Sequence, residues 1–149
     1  MYGTPIYDRK NHSRVRLQIV FSQEQIDTLA THARNNIPNE SCAVLFGKIE
    51  NGHFTVKDIF LTKNTQESPV NFTISNEELI QVYEEAEKRN LDVVGIFHSH
   101  PDSSAYPSLT DQKYMEINPV PWIIFSNKNQ EFKAYVFDSK IIPVDLAVL

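Results

Sequence analysis

The sequence predicts a mixed β-sheet sandwiched by helices, an architecture of the α/β or α+β class. Three observations predict it. Residues 42–46 and 93–97 are short, wholly apolar runs, the mark of strands buried on both faces. Two capping signatures, Ser22 with Gln25 and Ser75 with Glu78, each open a segment with apolar residues at helical spacing. Other segments alternate apolar and polar residues, as half-buried strands do.

In chain order, residues 1–13 are polar and without period, and are expected to form a flexible tail ahead of one domain over 14–149. Val15, Leu17, Ile19 and Phe21 then share one face of a strand. The first helix follows, carrying Ile26, Leu29, Ala30 and Ala33, and ends at the Asn35-Asn36-Ile37-Pro38 stretch. After the buried run at 42–46, Asn51-Gly52 supplies a tight hairpin turn into an alternating strand at 54–61. A polar stretch at 62–70 leads to the second helix, with Leu79, Val82, Tyr83 and Ala86 on one face. Beyond the second buried strand lie a Pro- and Ser-rich loop at 101–107 and a short helix starting near Thr110. Apolar segments follow at 122–125, 132–137 and 141–149. Pro143 lacks an amide proton, so the last of these is expected to be an edge strand or an extended tail.

Composition narrows the function classes. The chain has 149 residues and a net charge of −5, with its basic residues scattered, so it carries no electrostatic footprint of nucleic-acid binding. No apolar run approaches membrane-spanning length, and the N-terminus lacks the apolar core of a signal peptide. A single cysteine, Cys42, rules out an internal disulfide and favours a reducing compartment. A soluble, cytoplasmic protein is the expectation.

The chemistry concentrates in Gly95-Ile96-Phe97-His98-Ser99-His100-Pro101. Residues two apart on a strand point the same way, so His98 and His100 can reach one metal ion together. Two ligands alone do not make a stable zinc site. Ser108 and Asp111 follow in Pro107-Ser108-Leu109-Thr110-Asp111. This S-x-x-D pattern reads equally as a helix cap. Beside the histidines, however, Asp111 becomes a candidate third ligand. Two imidazoles and a carboxylate with one position left for water is a catalytic layout rather than a structural one. Glu40 precedes the first buried run, where a solvated turn carboxylate is the ordinary outcome. Its attraction is chemical, because activated water needs a base to take its proton. His12, His32 and His53 are expected to be bystanders, and Cys42 a small buried hydrophobe.

His98-Ser99-His100-Pro101, with seven residues between His100 and Ser108, then Ser108-x-x-Asp111 resemble the signature H-x-H-x(7)-S-x-x-D of the JAMM (MPN+) family. Pro38-Asn39-Glu40-Ser41-Cys42-Ala43-Val44-Leu45-Phe46-Gly47 resembles the family's upstream glutamate segment, with Ala43 where many relatives carry glycine. The resemblance covers the chain from residue 14 by order of elements. It implies a cytidine-deaminase-like core, a curved mixed sheet flanked by helices, and one zinc per chain on His98, His100 and Asp111. It also implies Glu40 as general base and acid, and Ser108 as donor to the developing oxyanion. The activity implied is that of a zinc isopeptidase cutting after the Gly-Gly end of ubiquitin or a ubiquitin-like modifier. The partners implied are such modifiers and their conjugates, with proteasome-related machinery as a further candidate. Tyr106, near the end of the 101–107 loop, is a candidate wall for the channel taking the thin Gly-Gly tail, or a partly buried loop anchor. With no long helical segment after its last strand, the chain is expected to be of the compact prokaryotic or archaeal form rather than that of the eukaryotic lid enzymes.

Two other readings stand beside this one. A processing peptidase that trims a sulfur-carrier protein would use the same site. A metal-free MPN scaffold would usually have lost ligands, whereas Glu40, His98, His100, Ser108 and Asp111 are all present. A zinc nucleoside deaminase needs a C-x-x-C pair that a chain with one cysteine does not have.

Overall fold

A computed structural model describes residues 16–149. The expected tail at 1–13, His12 and Val15 lie outside the described residues. The described chain runs β1 (Gln18–Phe21), α1 (Gln23–Asn36), β2 (Cys42–Glu50), β3 (His53–Thr62), α2 (Asn76–Lys88), β4 (Asp92–His100), α3 (Leu109–Ile117), β5 (Trp122–Ser126), β6 (Glu131–Phe137) and β7 (Ile141–Val148). This is the expected mixed α+β architecture. No helix among the described residues is long and apolar enough to cross a membrane.

Local chemistry explains most boundaries. Ser22 caps α1 through a complete capping box, its side chain taking the Gln25 N–H while the Gln25 side chain takes the Ser22 N–H. Asn51 and Gly52 have φ of 50° and 79°, both left-handed, as a two-residue hairpin turn matching the strand twist requires. At Gly47 the β2–β3 register shifts, and a Cβ would stand 1.8 Å from the Thr55 carbonyl oxygen, so only glycine fits. The second capping box forms only by half. Ser75 takes the Glu78 N–H, but the Glu78 carboxylate turns to the Lys63 N–H at 2.9 Å.

The strands are ordered β1-β3-β2-β4-β5-β6-β7 and close into a barrel through parallel pairing of β1 with β7. β7 is therefore neither an edge strand nor a tail, as Pro143 had suggested. Pro143 is tolerated because its ring nitrogen faces the same side as the Asp145 N–H, which bonds the Leu17 carbonyl. Two residues earlier the proline lies past the first residue of β1, where no ladder bond is demanded.

All seven strands send side chains into one core with α1, including Ile19, Leu29, Leu45, Phe97, Ile123, Val136 and Ile142. Ala43 is fully buried there, so its methyl group is accommodated. Two smaller clusters seat the other helices. Val44, Phe46, Val82 and Ala86 seat α2, while Met115, Trp122, Ile124 and Tyr135 seat α3. Helices thus cover the sheet on both sides. Tyr83, expected on the buried face of α2, is 40% exposed, because Val82 and Ala86 carry that contact.

β4 matters most for function. It pairs with β2 as far as His98↔Cys42 and with β5 as far as His100↔Ser126. Its end is therefore held rigidly, with both imidazoles on one side.

Candidate metal centre

His98 and His100 leave the end of β4 on one face, and Asp111 comes back to them from the first turn of α3. The His98 Nε2 and His100 Nε2 atoms are 3.1 Å apart, and each lies 3.1 Å from Asp111 Oδ2. Three donor atoms thus form an equilateral triangle, buried to 5% exposure or less. Ligands about 2 Å from a tetrahedral ion stand roughly 3.3 Å from one another, so the triangle has nearly the right edge. Such crowding of lone pairs favours a shared cation.

The surroundings set the tautomer of the His100 ring and the aim of both rings, while His98 Nδ1 is buried without a hydrogen-bond partner. His100 Nδ1 donates to the Ser104 carbonyl at 2.8 Å, which turns the Nε2 lone pair toward the triangle. The His98 ring is stacked on Phe72 at 4.9 Å and meets the edge of Trp122 at 5.8 Å. Burial lowers the His98 pKa, keeping the ring neutral as a ligand must be. For His100, burial is outweighed by hydrogen bonds to Asp111 and Ser104, and its pKa rises. Burial would raise Asp111, but the two histidines and the Ser108 N–H hold its carboxyl well below the usual range.

Ser108 and Asp111 satisfy both readings of their motif. Ser108 Oγ accepts the Asp111 N–H at 3.0 Å, and Asp111 Oδ2 accepts the Ser108 N–H at 2.9 Å. The capping box is therefore what aims the carboxylate at the histidines. Accepting that bond leaves the hydroxyl proton of Ser108 free to donate elsewhere.

Glu40 is buried, its Oε1 has no hydrogen-bond partner, and it feels the charges of His100 and Asp111. Burial first, then Asp111, pushes its pKa up to about 8 against the opposing pull of His100. It is not the solvated turn carboxylate that its position suggested as the ordinary outcome.

Sequence reasoning missed the groups that hold the centre in place. Three successive carbonyls of the 101–107 loop are pinned: Ser103 by Ser126 Oγ, Ser104 by His100, and Ala105 by the Tyr135 hydroxyl. Only the His-x-His pattern hinted at one of these. Phe72 carried no signal, falling between the polar stretch at 62–70 and the second helix. Tyr106 is 53% exposed and sits edge-on to Tyr135 at 5.5 Å, outside the triangle. His32 is occupied with the Cys42 carbonyl at 2.9 Å, and His53 is exposed at the start of β3. Cys42 is fully buried and accepts a bond from Thr62 Oγ.

The profile of the family described as prokaryotic homologs of the JAB domain matches residues 22–138. The chain belongs to this JAB/MPN family. A desampylase of Pyrococcus furiosus is 44% identical over 101 residues, 68% of this chain and 69% of that protein. A CysO-cysteine peptidase of Mycobacterium tuberculosis is 28% identical over 120 residues, 78% of this chain and 81% of that protein. By this kinship the JAB domain described here is a peptidase or isopeptidase. A solution structure from Desulfitobacterium hafniense superposes with TM-score 0.80 at 24% identity, covering 88% of this chain and 92% of that one. A JAB1/MPN domain protein of Archaeoglobus fulgidus gives TM-score 0.55 at 18% identity, covering 88% and 99%. These two likenesses concern the fold. The family is one of zinc-dependent metalloproteases, and the buried N, N, O donor set fits that metal.

Proposed function

We propose that this JAB domain is a zinc-dependent isopeptidase that hydrolyses the bond after the C-terminal Gly-Gly of a ubiquitin-like modifier. The observation that carries the reading is the 3.1 Å triangle of His98, His100 and Asp111, with a buried carboxylate, Glu40, in electrostatic reach. The kinship with a desampylase supports the substrate class.

In this reading His98 Nε2, His100 Nε2 and Asp111 Oδ2 hold one zinc per chain. Bound there, zinc supplies Lewis-acid polarisation of the scissile carbonyl and lowers the pKa of water. Glu40 takes a proton from the attacking water and passes it to the leaving amine as the C–N bond breaks. The modifier's glycine gains the hydroxyl, and the amine leaves neutral. Ser108 donates its free hydroxyl proton to the tetrahedral oxygen, a contact typically worth about 3 kcal/mol in the transition state. The 101–107 loop, with Tyr106 half exposed upon it, walls the path of the tail. Glycines suit a tail that must approach the triangle closely, because they carry no side chain.

A second reading uses the same residues. Kinship with a CysO-cysteine peptidase favours trimming of a sulfur-carrier protein, with an α-amine rather than a lysine amine as leaving group.

The test is to prepare the protein metal-free and zinc-loaded and to assay each on two substrates. One carries a modifier joined through Gly-Gly to a lysine side chain, the other a carrier extended beyond its Gly-Gly. The expected result is zinc-dependent cleavage after Gly-Gly of the lysine conjugate, lost in Glu40→Gln with zinc retained at one per chain. Cleavage of the carrier alone selects the second reading. A folded protein that takes up no zinc overturns both.

A further inference from the structure

Glu40 precedes the first residue of β2, so no strand ladder fixes it. Its main chain is held instead by the loop between β3 and α2. The Glu40 N–H donates to the Ser68 carbonyl at 2.8 Å, and the Glu40 carbonyl accepts from Asn64 Nδ2 at 3.0 Å.

Asn64 is 5% exposed, and its amide is fully occupied. Nδ2 also donates to the Asn71 carbonyl at 2.9 Å, while Oδ1 accepts the N–H groups of Gln66 and Thr73, each at 3.1 Å. These four bonds exhaust two donors and two acceptor lone pairs. Three of them fold the loop upon itself, and the fourth ties the folded loop to Glu40. The same loop carries Phe72, whose ring lies on His98. One side chain therefore links the candidate proton shuttle to the packing of a candidate ligand.

We propose that Asn64 is a positioning residue for hydrolysis. It holds the main chain of Glu40, and the loop bearing Phe72, so that the carboxylate stands at the metal-ligand triangle. The inference rests on the reading of Glu40 given above. Asn64 acts through Glu40 and itself touches neither the triangle nor substrate. A carboxylate that must meet a reacting proton tolerates little displacement, because a shift of about 1 Å can cost on the order of 100-fold in rate.

Two variants test it. Asn64→Asp keeps the acceptor for Gln66 and Thr73 and loses both donors, whereas Asn64→Ala loses all four bonds. Two readouts are taken. The first is kcat and KM of the zinc-loaded protein on the lysine conjugate, with zinc content measured alongside. The second is hydrogen–deuterium exchange at the Glu40 amide in the zinc-free protein.

In Asn64→Asp, kcat is expected to fall on the order of 10- to 100-fold with KM within about two-fold and zinc content unchanged. The Glu40 amide is expected to exchange about ten-fold faster or more, while the core amides of Leu45 and Ile123 keep their protection. Asn64→Ala is expected to do the same or more. Unchanged kcat with unchanged Glu40 exchange overturns the proposal. So does a loss shared equally by zinc content and by the Leu45 and Ile123 amides, which marks a merely structural residue. If the wild-type protein cleaves nothing, the functional reading fails by itself. The exchange at Glu40 then still decides whether Asn64 holds it.

Discussion

Ser99 grips Ser41 from the face of β4 opposite the two histidines. Ser99 Oγ accepts the Ser41 N–H at 2.9 Å and meets the Ser41 hydroxyl at 2.8 Å, and the Ser99 N–H bonds the Ser41 carbonyl at 3.1 Å. The residue between His98 and His100 thus anchors the residue after Glu40. Candidate ligands and candidate base share one peptide-to-peptide clamp.

Replacing Ser99 by alanine leaves a buried N–H and a buried hydroxyl unpaired. The expected loss of stability is about 1–3 kcal/mol, read from the urea midpoint at constant slope. Zinc content should be unchanged, since the ligands face the other way. An unmoved midpoint would mean that the clamp contributes nothing.

Ser108 and Asp111 separate capping from chemistry. Ser108→Ala removes the cap acceptor, an expected cost of about 1 kcal/mol, and lowers kcat by on the order of 100-fold through the lost oxyanion donor. Asp111→Asn retains an acceptor for the Ser108 N–H but weakens zinc binding strongly. Zinc titration beside thermal melting distinguishes the two. Full zinc affinity in Asp111→Asn would remove Asp111 from the ligand set.

The pH dependence of metal-free stability follows from Glu40. Its folded pKa, about 8, lies above the ordinary value of 4.5, so the unfolded state releases the proton first. The stability this confers is complete below pH 4.5, declines as pH rises, and is gone above the folded value. Urea titrations of the chelator-treated protein between pH 5 and pH 9 should therefore show a fall that Glu40→Gln lacks. Parallel pH profiles for the two proteins would refute it.

Cys42 offers a contrasting case. Burial pushes its thiol up to about 11 against a stabilising bond from Thr62. Alkylation by iodoacetamide at pH 8 should then proceed only as fast as the protein opens, and become rapid in denaturant. Cys42→Ala should keep its zinc. Rapid labelling of the native protein would contradict the burial.

What could be read beforehand depended on whether the cause was local. His98, His100, Ser108 and Asp111 announce themselves because strand alternation and a capping box are short-range rules, and here the box itself aims the Asp111 carboxylate. The Asn51-Gly52 hairpin was readable for the same reason. Asn64 and Phe72 were not, because an asparagine in a polar stretch and an aromatic ring just beyond it gain meaning only from what β2 and β4 place beside them. Pro143 misled by a sound local rule. Its missing donor points past the start of β1, a fact of register and not of composition. Glu78 misled likewise, since a tertiary partner, the Lys63 N–H, outbid its own helix terminus.

Barrel closure has a consequence for how the protein is made. Arg16, beside β1, bonds Asp145 of β7 at 2.7 Å across 129 positions of chain. β4, which bears His98 and His100, can pair with β2 and β5 while β7 is still unsynthesised, but β1 has then only β3 beside it. Leu17, Ile19 and Phe21 have their shared core sealed only once β7 pairs with β1. Until then the β1 side of that core lacks the β7 residues Ile142 and Val144 that complete it.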